Sequence, residues 1–156
     1  MSSNDVNNFN RLGIQYYKDG NYKEAIVNFN SAIELAPYNP DYFHNRAECY
    51  RLSEQYEKAI EDYNVVLKSS SGDATDYYKR GICYSRTDSH QQAIDDFNNA
   101  IKLKPTIDDD CYMCRALAFC MINDRSGAIM DLEFVLSRNP NHTVASQMLA
   151  ALADRK

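Results

Sequence analysis

The sequence predicts an all-α chain built as a solenoid of stacked antiparallel helix pairs, and three observations carry that prediction. First, a period of about 34 residues runs through it: Ala25, Ala59, Ala93 and Ala128 recur in step, each followed by an isoleucine, Ile26, Ile60, Ile94 and Ile129. Second, chain breakers fall between the periodic segments and not within them. Third, the chain is 44% apolar and 25% charged with only five Gly and four Pro, the composition of an ordered, helix-rich domain.

Each unit of the period holds two helical segments. First helices are expected near 6–19, 40–53, 74–87 and 109–122, and second helices near 22–35, 56–69, 90–103 and 125–138. In the first helices, Phe9, Phe43, Tyr77 and Tyr112 form one aromatic column, and Tyr16, Tyr50, Tyr84 and Phe119 another. Between them stand small residues, Gly13, Ala47, Gly81 and Ala116, which let the two helices of a hairpin approach closely. The second helices carry the Ala-Ile pair and then Phe29, Tyr63, Phe97 and Leu132. Gly20 and Asn123 suit a left-handed turn after a first helix, and Pro37, Pro105 and Pro140 follow the ends of second helices. Ser71 stands where a fourth proline is expected, and one extra residue lies near Thr106 to Asp109.

The units are therefore 6–39, 40–73, 74–108 and 109–142, preceded by a disordered 1–5. Residues 143–156 continue as a first helix without a partner, with Val144, Met148, Leu149 and Leu152 able to cap the last apolar face.

The wording Phe9-x-x-Leu12-Gly13-x-x-Tyr16, Ala25-x-x-x-Phe29 and Pro37 resembles the tetratricopeptide repeat pattern, with Phe for Trp, and the resemblance covers nearly the whole chain. It implies a right-handed superhelix of four repeats that works as a protein interaction module, an adaptor or a co-chaperone-like scaffold, and not as an enzyme.

Composition agrees with that expectation. A net charge of −5, from 17 basic against 22 acidic residues, gives no global attraction to nucleic acid or an anionic membrane. The amino end has neither a basic start nor an apolar stretch, so a cytoplasmic setting is expected. No nucleophile elbow or phosphate loop occurs, and no cofactor is implied. Cys111 and Cys114 form a C-x-x-C with Cys120 two turns on, but no second ligand pair has zinc spacing, and Asp108 to Asp110 would repel a thiolate. Cys49 and Cys83, one period apart, read as small packing residues.

Arg46, Arg80 and Arg115 appear in the same units as Asp62, Asp96 and Asp131, whereas the first unit has Leu12 and Asn28 at those places. Charge that comes and goes as a pair predicts three ion pairs inside hairpins.

At about 100° per residue, the aromatic and small columns occupy one arc of each first helix and leave the opposite arc free. The family resemblance implies that this free arc lines a peptide-binding groove. Its candidate residues are Asn10, Arg11, Ile14, Tyr17 and Lys18; His44, Asn45, Glu48 and Arg51; Tyr78, Lys79, Ile82 and Arg86; and Met113 and Leu117. The local basic excess in the first three units points to a peptide with acidic and apolar residues. The apolar strip around Met113 and Leu117 offers self-association as the alternative. Asn45-Arg46-Ala47-Glu48-Cys49-Tyr50 also resembles co-chaperones that grip acidic chaperone tails, but only Asn45 and Lys79 match that clamp, since Asn10, Ile14 and Thr75 stand at its other places.

Overall fold

A computed structural model describes residues 3–69 and 72–153. Among them are nine helices and no strand: α1 (Ser3–Lys18), α2 (Tyr22–Leu35), α3 (Pro40–Leu52), α4 (Tyr56–Lys68), α5 (Ala74–Arg86), α6 (His90–Leu103), α7 (Asp109–Met121), α8 (Arg125–Arg138) and α9 (Thr143–Ala153). The chain is an all-α helical repeat solenoid. Helix α1 begins at Ser3, so residues 3–5, expected to be disordered, are helical instead. Residues 1–2, 70–71 and 154–156, which include Ser71 and the last part of the expected cap, lie outside the described residues.

One backbone device ends every first helix. Gly20, Glu54, Asp88 and Asn123, which share one place in the period, all have positive φ, between 56° and 75°. The amide after each donates back to an aromatic residue's carbonyl in the preceding turn: Asn21 to Tyr16, Gln55 to Tyr50, Ser89 to Tyr84 and Asp124 to Phe119, at 2.8–2.9 Å. This left-handed closure satisfies carbonyls that the helix end would leave orphaned. Helix starts are capped case by case. Asn39 accepts from the Asp41 amide ahead of Pro40, Asp73 and Asp76 each accept from the other's end of the turn, and Asp124 accepts from the Gly127 amide.

Contacts divide the chain into two compact units, Met1–Asp76 and Tyr77–Lys156. In the first, Ala25, Phe29 and Cys49 form a core against which Ile14, Tyr16, Tyr17, Tyr22 and Ile26 pack. A Cβ at Gly13 would sit 2.6 Å from the Phe29 ring, so the small column exists to admit the second helix's aromatic ring. In the second unit, Ala93, Phe97, Tyr112, Ala116, Leu132 and Val135 anchor a larger core, and a Cβ at Gly81 would meet the Phe97 ring at 2.7 Å. The extra residue between α6 and α7 does not loop outward. Ile107 is buried in this core, and its carbonyl accepts from Arg138. Helix α9 packs on α8 with Ala145 buried and Met148, Leu149 and Leu152 against the core, whereas Val144 points outward.

Candidate functional site

The three charge pairs are present and are not surface features. Arg46 grips Asp62 through Nε and Nη2 at 2.7 Å each, Arg80 grips Asp96 at 2.7 and 2.6 Å, and Arg115 grips Asp131 at 2.8 and 2.5 Å. The three aspartates are only 3–4% exposed. Each guanidinium also lies over two rings of its own first helix, such as Tyr77 and Tyr84 for Arg80. Burial opposes charge on Arg80, but the hydrogen bonds and charge of Asp96 outweigh it and raise the guanidinium's proton affinity.

The third edge of the fork reaches the preceding hairpin. Arg46 Nη1 donates to Asn30 at 2.7 Å and Arg115 Nη1 to Asn98 at 2.6 Å. These asparagines share one place in the period. Their recurrence one step before each arginine was the available signal.

The free arcs of the first helices carry the candidate groove residues. In the first unit, Ile14 and Tyr17 pack against the core, and Asn10 accepts from Asn45 across α1 and α3. Arg11 and Lys18 are exposed, with Arg11 bonded to Asn8. Glu48 is a correction to the expected lining: it is 7% exposed, accepts from Arg51 at 3.1 and 3.2 Å, and is bonded by the Tyr63 hydroxyl. Arg51 is thereby committed to a carboxylate inside the protein, and its charge is not spare for a ligand. His44 is similarly engaged, with Nδ1 2.6 Å from buried Asp76.

In the second unit, Tyr78 and Ile82 pack on the core by one side. Arg86 is exposed and Lys79 half-buried, and the charge of Asp110 acts on Tyr78 and Cys114. Met113 is buried, a second correction, because it turns into the core and not onto the arc. Leu117 and Met121 are 51% and 62% exposed, so the apolar strip continues through them.

The five cysteines are free. Burial pushes the Cys49 and Cys111 thiols up to about 12 from an ordinary 9.0. Both are therefore neutral at physiological pH, and alkylation of the native protein at pH 8 is expected to spare them while unfolded protein reacts at all five. The sign for stability follows: a thiol favoured by the folded state stabilises it below pH 9.0, and this contribution is lost as pH rises from 9.0 to about 12. Rapid native labelling at Cys49 or Cys111 would contradict this.

Two family models, both described as tetratricopeptide repeat, match residues 5–71 and 77–107, together more than half of the chain. The chain belongs to the tetratricopeptide repeat family. No curated protein matches it. Among solved structures, a crystal structure of MamA protein superposes with a TM-score of 0.90 at 22% identity, covering 97% of this chain and 82% of that one. YrrB, described as a tetratricopeptide repeat protein with an unusual peptide-binding site, gives 0.84 at 14% identity, with 92% and 74% covered. The first such domain of Spaghetti (RPAP3), bound to the HSP90 peptide SRMEEVD, gives 0.70 at 23% identity, with 78% and 97% covered. In this tetratricopeptide repeat chain, as described, no helix is long and apolar enough to cross a membrane.

Proposed function

We propose that this tetratricopeptide repeat protein is a cytoplasmic, non-enzymatic adaptor that holds a peptide segment along the first-helix arc of its second unit. The observation that carries the reading is the composition of that arc. Helix α5 carries Lys79 and Arg86 together with the partly buried Tyr78 and Ile82, and α7 carries the exposed Leu117 and Met121, which supports a basic edge followed by an apolar strip. Such an edge selects a segment that is acidic on one side and apolar on the other. In the first unit Arg51 is held by Glu48 and His44 by Asp76, while Arg11 and Lys18 are exposed. The first such domain of Spaghetti (RPAP3) is bound to the HSP90 peptide SRMEEVD; here Asn10, Ile14 and Thr75 depart from the chaperone-tail clamp, so the ligand is expected to be a different acidic segment.

Panning a random peptide library against the protein tests the reading. Retained peptides are expected to combine Asp or Glu with apolar residues and to be released by raised salt. Absence of any enriched class, or salt-insensitive retention of purely apolar peptides, would reject it. The exposure of Leu117 and Met121 supports a second reading, self-association through the fourth repeat and α9. A concentration-dependent dimer abolished by Leu117→Asp, with no peptide enrichment, would favour that reading.

A further inference from the structure

The second unit contains a pocket of about 400 Å³ lined by Cys120, Asn123, Arg125, Met148, Ala151 and Leu152. Its origin is legible in the period. At the first residue of the second helix, three repeats place a ring, Tyr22, Tyr56 and His90, and the fourth places Arg125. Those rings are used for packing: Tyr22 lies against the first unit's core and 6.1 Å from Tyr17, and His90 has only 15% of its side chain exposed. Arg125 instead extends to the carboxyl end of α9, where Nη2 donates to the Ala153 carbonyl at 3.4 Å. A second change enlarges the space. The residue 34 positions after Leu117 is Ala151, in a column otherwise occupied by Ile14, Glu48, Ile82 and Leu117. One ring and one branched side chain are thus missing from the same place, and what remains is an apolar floor of Met148, Leu152 and Cys120 beside a guanidinium.

We propose that this pocket is a binding site for an aromatic side chain that carries a neighbouring carboxylate, supplied by an acidic peptide. The ring takes the volume that Tyr22 or His90 fills elsewhere, against a thioether and a thiol that suit aromatic faces. The carboxylate faces Arg125, whose fork suits it, at the exposed mouth of the pocket. Asn123 adds an amide at the turn. The carrier's identity as a peptide rests on the proposed function, but the pocket's chemistry does not.

The test therefore uses small molecules on the full chain. Methyl-labelled protein is titrated with N-acetylphenylalanine, N-acetylphenylalanine amide and N-acetylalanine. Saturable shifts at Met148 and Leu152 are expected for the first, weaker ones for the amide, and none for N-acetylalanine. Ala151→Leu, which restores the Leu117-like side chain at an exposed helical site, is expected to weaken N-acetylphenylalanine by at least about tenfold. Arg125→Gln should bring the acid down to the affinity of its amide and remove salt dependence. Absence of saturable shifts, unchanged binding to Ala151→Leu, or equal loss of acid and amide in Arg125→Gln would overturn the proposal. Failure of peptide panning with the pocket intact would instead count against the adaptor reading alone.

Discussion

Replacing Arg80 with alanine is expected to destabilise the protein by about 3–5 kcal/mol, the scale for removing one partner of a buried ion pair. Asp96 would be left 3% exposed with neither of its two short bonds to the guanidinium. The rings of Tyr77 and Tyr84 would also lose the cation packed on them. Burial raises the cost on both sides, so the loss greatly exceeds the ~0–1 kcal/mol of an exposed pair. Urea unfolding followed by circular dichroism measures it. Adding Asp96→Leu to an Arg80→Met background should recover most of the loss, because the stranded carboxylate is then gone. Independent, additive effects of the two changes would show that the pair is not coupled.

Phe97→Ala is expected to cost about 3–5 kcal/mol, since the ring is fully buried and its neighbours cannot close the space it leaves. The complementary change is informative. Gly81→Ala places a Cβ 2.7 Å from the Phe97 ring and should cost about 1–3 kcal/mol by overpacking. In a Phe97→Leu background the same methyl should be tolerated far better, as Ala116 and Leu132 pair at the corresponding places of the next hairpin. Equal cost of Gly81→Ala in both backgrounds would show that the ring does not set the demand for glycine.

The helices were legible because breakers and repeating columns mark both ends of each segment. The left-handed turns were half legible: Gly20 and Asn123 announce positive φ, but Glu54 and Asp88 adopt it under the tertiary demand of the same hairpin closure. The arginine clasps were readable as pairs, because each charge has one partner 16 residues on. Their burial was not, since depth depends on neighbouring hairpins. Glu48 and Met113 illustrate the same limit at the candidate site. Helical phase places both on the free arc, yet Tyr63 and Arg51 draw Glu48 inward and the fourth hairpin's core takes Met113. The pocket beside α9 has no motif of its own in the sequence, because it arises from two small departures from the period, Arg125 and Ala151.

The proposal that the second unit's first-helix arc binds an acidic peptide is tested most directly by charge reversal on that arc. Binding of a panned acidic–apolar peptide is measured by fluorescence anisotropy for the parent and for the Lys79→Glu, Arg86→Glu double variant, with helical content checked in parallel. Two reversed charges at the site of contact are expected to weaken binding by about a hundredfold or more at low salt while leaving helicity unchanged. A double variant that keeps its helices and binds the peptide as tightly as the parent would contradict the account.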